Sequence, residues 1–141
     1  MEADREGFQR NIEESLRRGE ERKAKRRWKD VWERYTKEWE NIAAAAADEG
    51  RSVEQLIPWP VESGKMKDVS KEEVEHFFRN TPSTDSPLDK VLKMERVRWH
   101  PDKMQQRFGE RGIDTDIIKA VTAIFQVIDR LWTEMREKNA N

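Results

Sequence analysis

Apolar and polar positions divide the 141-residue chain into segments of different character. Over the first 48 residues apolar side chains are sparse at first, with Phe8, Ile12 and Leu16 among Glu, Lys and Arg. The residues are good helix formers and no proline occurs before Pro58, so one long helix is expected, weakened at Gly7 and Gly19. From Trp28 the pattern sharpens. Trp28, Trp32, Tyr35, Trp39 and Ile42 recur at steps of four, three, four and three, an aromatic seam along one helix face. Such a seam requires burial, and packing on the chain's own domain is the simplest solution. A partner-docking face is the competing one, and self-pairing a third, for which too few heptads are present to make a confident coiled coil. The alanine run from Ala43 to Ala47 followed by Gly50 predicts the helix end, with Gly50 as its cap.

Two prolines around a tryptophan, Leu56-Ile57-Pro58-Trp59-Pro60-Val61, predict an extended strap laid across a helical surface. A polar loop from Glu62 to Asp68 follows. Ser70 with Glu73 forms a capping box, and Val69 with Val74 the hydrophobic staple of a helix that must stop before Pro82. Ser86 and Pro87 then open a helix running to about Trp99. Asp114 opens the last and most apolar helix, with Ile117, Ile118, Val121, Ile124, Phe125, Ile128, Leu131, Trp132 and Met135 as its core stripe. No segment alternates with period two for long enough to build a sheet, and no internal repeat is visible. The expected fold is all-α, a long N-terminal helix packed on an antiparallel helical hairpin with short flanking helices. Its organisation is a charged helix over 1–50, a strap and loop over 51–69, and a helical domain over 70–141.

Composition narrows the function. Charged residues make up 40% and apolar residues 35%, which favours long solvated helices over a large buried sheet. Basic and acidic residues number 28 and 29, so the whole-molecule field is not that of a general nucleic-acid binder. The chain has no cysteine, hence no disulfide and no thiolate chemistry. The longest apolar run, Ile42 to Ala47, is far below a membrane span, and the charged start has no signal-peptide core. A soluble protein of nucleus or cytoplasm, monomeric and without a membrane partner, is expected. His76 and His100 are the only histidines, neither is in a metal-ligand spacing, and there is no glycine-rich phosphate loop. No catalytic residue, metal or cofactor is expected.

The sharpest motif is Trp99-His100-Pro101-Asp102-Lys103. Pro101 cannot continue the preceding helix, Asp102 can cap a short new one that stops at Gly109, and His100 is left where a helix dipole favours positive charge. The preceding helix carries Lys90, Lys93, Arg96 and Arg98, and the first three share one side. A basic stripe beside a stiff polar corner suits an acidic partner surface. A second cluster, Arg22, Lys23, Lys25, Arg26, Arg27 and Lys29, has the character of a nuclear-import signal or a phosphate-contacting patch. Balanced against Glu20, Glu21 and Asp30, it reads equally as a solvated helix face.

A basic helix, His-Pro-Asp and an apolar helix returning antiparallel resemble the J domain of Hsp40-type co-chaperones. The resemblance is closer to the divergent J-like region of NF-kappa-B inhibitor-like protein 1 and its fungal relatives. It is carried by Ile57-Pro58-Trp59-Pro60-Val61, Arg98-Trp99-His100-Pro101-Asp102-Lys103, Gln106-Arg107-Phe108-Gly109 and Val121-Thr122-Ala123. It implies an Hsp70-type chaperone as partner, engaged through His100, Pro101 and Asp102 with support from Lys90, Lys93 and Arg98. The chain departs from J domains at Glu95, where an apolar core residue is usual, and at Val127 and Ile128, which replace alanine and tyrosine. It departs also in the long connection from Lys103 to Asp114. The alternative is a nuclear helical scaffold, RNA- or splicing-associated, that does not activate Hsp70.

Overall fold

A computed structural model describes residues 2–80 and 87–140, and among them the secondary structure is helical with no strand. The helices are α1 (Glu2–Glu40), α2 (Ile42–Ala46), α3 (Val53–Leu56), α4 (Lys71–Asn80), α5 (Leu88–Arg98), α6 (Pro101–Phe108) and α7 (Thr115–Ala140). Short 3-10 turns occupy Met66–Asp68 and Gly109–Arg111. The all-α architecture expected from the sequence is present.

α7 forms the spine of the helical domain. Asp114 caps it as expected, its carboxylate accepting from the Ile117 amide at 2.8 Å. Ile117, Val121, Ile124, Val127, Ile128 and Leu131 are buried along one stripe. Val127 joins that stripe, whereas Ile118 is exposed at its margin, beside Pro101, Met104 and Gln105 of α6. α5 runs antiparallel to α7: Arg96 meets Asp129 and Trp132, while His100 meets Phe125. The two helices pack on one another, and these pairs hold the corner end of the hairpin together. α4 lies on α7 in the parallel sense, with Glu75 beside Arg130 and Arg79 beside Glu134.

Of two further helix starts, one agrees with its sequence reading and one differs. Ser70 does cap α4, accepting from the Glu73 amide at 3.1 Å. Pro87, expected at the first position of α5, is instead its cap residue, extended at ψ 138°, and Leu88 begins the helix. Ser86 lies outside the described residues.

The aromatic seam is buried against the chain's own domain. Trp28, Val31, Tyr35 and Trp39 are interior, and Trp32 and Ile42 are packed at the margin. Phe77 of α4 sits 5.1 Å from Tyr35, and Trp99, just after α5, sits 5.8 Å from Trp39. Edge-on aromatic contacts of this kind add to simple area burial. The expected single helix to residue 48 is interrupted at Asn41, and helical geometry ends at Ala47 rather than at Gly50. The free carbonyls there are satisfied from a distance. The Arg111 guanidinium donates to the carbonyls of Ala46, Asp48 and Arg51, which removes the need for a glycine cap.

The strap lies where the prolines place it, with Ile57 to Val61 wholly buried. Ser52 and Gln55 form a reciprocal capping box that starts α3 just ahead of it, a turn not read from the sequence. The Trp59 indole N–H donates to the Glu54 carbonyl at 2.9 Å, and its ring lies 5.9 Å from Trp99. Arg34 of α1 clamps the strap's exit by donating to the Glu62 carbonyl at 2.8 Å. Gly64, at φ +72°, lies beneath that guanidinium; a Cβ there would stand 3.0 Å from Arg34 Nη2, and the positive φ favours glycine independently. Helix, strap and hairpin share one apolar core, so the three sequence segments form a single packed unit.

Candidate functional site

The polar corner is built by the proline. After Trp99 the chain turns, and Pro101 occupies the first position of α6, where its missing N–H is not needed. Asp102 was the expected cap of α6, but His100 fills that place. Its Nδ1 accepts from the Asp102 amide at 3.2 Å and its carbonyl accepts from the Met104 amide at 3.1 Å. With proline fixed at the first helical position, the residue before it is the one with extended geometry, φ −59° and ψ 130°. The Asp102 side chain is consequently free, 85% exposed, and its carboxylate stands 3.9 Å from His100 Nδ1. His100 is about half exposed, its ring meeting Phe125 edge-on at 5.2 Å.

Beside the corner is an open concavity of about 430 Å³, lined in part by Arg96, Val97, His100, Asp102, Lys103 and Phe125. Val97 at its rim is 56% exposed, an apolar patch in a polar frame. A larger concavity of about 740 Å³ lies between α1 and the strap, lined in part by Arg34, Lys37, Glu38 and Arg51, and contains none of the expected site residues. Burial there holds the Glu38 carboxyl above its ordinary value against the pull of Arg34 and Arg51.

The four cations expected to act together on α5 separate into two kinds. Lys90 and Lys93 are exposed. Arg96 instead bonds Asp129 at 2.6 Å and stacks over Trp132 at 4.4 Å. Arg98 bonds Glu95 at 2.8 Å and lies 4.8 Å from the Trp39 ring centre. In the N-terminal cluster Arg27 pairs with Glu62 at 2.8 Å, while Arg22, Lys23, Lys25, Arg26 and Lys29 are exposed on α1.

Directly behind the corner is a buried polar network. Trp99 donates through Nε1 to the Tyr35 hydroxyl at 2.9 Å, and Tyr35 donates onward to Glu95 Oε2 at 2.7 Å. Because the tyrosine oxygen already accepts from indole, its proton must point at Glu95, and Arg98 donates to the other carboxylate oxygen. Both Glu95 carboxyl oxygens thus accept a hydrogen bond. Burial pushes the Glu95 carboxyl above its ordinary value, opposed by Arg98 and by the bonds it accepts. Burial, reinforced by the Glu95 charge, holds the Tyr35 hydroxyl well above the usual phenol range. The sequence marked Glu95 as a charge in a core position; its partner Tyr35, sixty residues away, left no local signal. Among the described residues no group of three His, Asp or Glu is arranged to hold a metal ion.

Residues 72–136, from α4 through most of α7, match the family described as the NF-kappa-B inhibitor-like protein 1 C-terminal domain. The chain is thus close to the C-terminal region of that protein over the helical hairpin and its polar corner. No solved structure matches the chain.

Proposed function

We propose that this chain is a non-enzymatic, regulatory helical protein that works by docking another protein on the corner at His100, Pro101 and Asp102. Exposed Lys90 and Lys93 lie on the helix that leads into the corner, about 10–15 Å of helix rise before it, and give it a positive approach. The observation that carries the reading is the pairing of an outward imidazole and carboxylate on a turn that is rigid for stated reasons. Proline fixes one residue, a hydrogen bond fixes the next, and buried Trp99 anchors the one before. A surface held in one geometry before binding loses less entropy on docking. An Hsp70-type chaperone is the partner class we favour, in nucleus or cytoplasm.

The test is ATP hydrolysis by a cognate Hsp70 with the full chain and with His100→Gln. Stimulation by the wild type, abolished in the variant, supports the co-chaperone reading. Loss of the histidine cap costs about 0.5–2 kcal/mol of stability at most, so the variant remains folded for the comparison.

A second reading, a scaffold that does not activate a chaperone, is favoured by one observation. Arg96 and Arg98 are committed to internal contacts, which leaves two lysines rather than four cations for a partner. No stimulation by a folded wild type selects it.

A further inference from the structure

The half of α1 ahead of Trp28 contributes no side chain to the core: from Asp4 to Arg27 no residue is buried. Within it, residues 17–29 carry eight cations and two acids, a local charge of +6 in a chain whose net charge is −1. These cations are not equivalent. Arg17 pairs with Glu21 and Arg27 with Glu62. Arg18, Arg22, Lys25 and Lys29 are exposed, and among the described residues none has an acidic partner.

Those four recur at steps of four, three and four, which places them on one face. They span about 16 Å, with a cation every 5.5 Å or so of helix rise. The face lies roughly a quarter turn from the aromatic seam and is therefore free of the core. Arg26 flanks it. An uninterrupted row of unpaired cations at this spacing suits a polyanion whose charges recur along a flexible strand at a similar interval.

We infer that this face of α1 is a docking surface for the phosphate backbone of single-stranded nucleic acid, read without base selectivity. A nucleic-acid strand can supply a charge to each of the four positions by adjusting its backbone. An acidic protein segment would need carboxylates at the same recurring interval, whereas every nucleotide of a strand carries its own charge. The inference is independent of the corner at His100, which lies on a different part of the molecule.

The experiment is fluorescence anisotropy of labelled oligouridylate and oligothymidylate with the full chain, from 25 to 200 mM KCl. Four phosphate contacts on a single strand predict a slope of log K against log salt of about −2.8. Both strands should bind alike. The variant Arg18→Gln/Arg22→Gln/Lys25→Gln/Lys29→Gln should reduce affinity by roughly tenfold or more at low salt and flatten the slope. A control with the same charge change elsewhere, Lys65→Gln/Lys67→Gln/Lys119→Gln/Lys138→Gln, should bind as wild type.

Glutamine is nearly as good a helix former as lysine or arginine, so the arm keeps its structure, which circular dichroism checks. The shorter reversal Arg22→Glu/Lys25→Glu gives an independent variant with the same expected loss. A flat salt slope, undiminished binding in either stripe variant, or equal weakening in the control overturns the inference. So does displacement of the strand by polyglutamate at equal charge concentration, which would reveal an acidic-protein surface instead.

Discussion

The two halves of α1 have the same backbone and much the same charged composition, yet they differ in what surrounds them. From Trp28 to Trp39 the helix buries Trp28, Val31, Tyr35 and Trp39 against α4, α5 and the strap. From Asp4 to Arg27 it buries nothing, and Phe8 and Leu16 are 68% and 65% exposed. Both rows lie on one side of the helix, since a step of four residues turns only about 40°. Density makes the difference. Trp28, Val31, Trp32, Tyr35 and Trp39 crowd large apolar side chains into about three turns, whereas Phe8, Ile12 and Leu16 stand one to a turn among charges. A helix face is recruited into a core when its apolar row stays dense over several turns.

The strongest way to break this comparison is to delete a side chain from each half. Trp39→Ala should destabilise the fold by about 3–5 kcal/mol, since it empties a site bounded by Trp99, Phe108 and two guanidinium groups. Phe8→Ala should stay within about 0.5 kcal/mol of wild type. Urea unfolding of the two variants measures both; a Phe8 effect comparable to that of Trp39 would mean that the arm is packed in solution.

A smaller effect sharpens the role of the buried half. Tyr35→Phe preserves the ring and removes the hydroxyl that links Trp99 to Glu95. Leaving an indole N–H and a carboxylate oxygen without that partner should cost about 1–3 kcal/mol. An unchanged unfolding midpoint would show that water replaces the hydroxyl without penalty.

The smallest expected effect is a pH dependence of defined sign. In the fold Glu95 is held above its ordinary value of 4.5, so the native state binds this proton more tightly than the unfolded chain does. Its stabilising contribution is therefore full below 4.5 and declines as pH rises through the raised value. Glu95→Gln removes that dependence. The stability of wild type relative to the variant should fall as pH increases from 4 and then level off, measured by urea titrations at a series of pH values. A difference that grows with pH would mean that Arg98 and Tyr35 outweigh burial.

The legibility of the fold in the sequence follows from the range of each signal. α7 was readable because its apolar stripe and the Asp114 cap lie within a few residues of one another. The capping of α4 by Ser70 was readable for the same reason, and so was burial of the strap, because prolines confine its conformation locally. At the corner the chemistry was recognised but displaced by two residues: Asp102 is a good cap by type, yet Pro101 fixes the helix start and hands the capping to His100. The division of the α5 cations was not legible, because Arg96 is turned by Asp129 and Trp132 on another helix. Arg111 gave no signal at all, since its three carbonyl partners lie about sixty residues away.

Trp99 immediately precedes His100 in the chain, and its indole is tethered to a hydroxyl on α1, 64 positions upstream. Excising residues 72–136 would thus yield a fragment that contains the entire family match and the motif, yet strips away the wall against which the motif is braced. Glu95 would then face solvent on the side now closed by Tyr35. The smallest piece able to present the corner faithfully begins at or before Trp28, and boundaries drawn from sequence similarity alone would cut through its foundation.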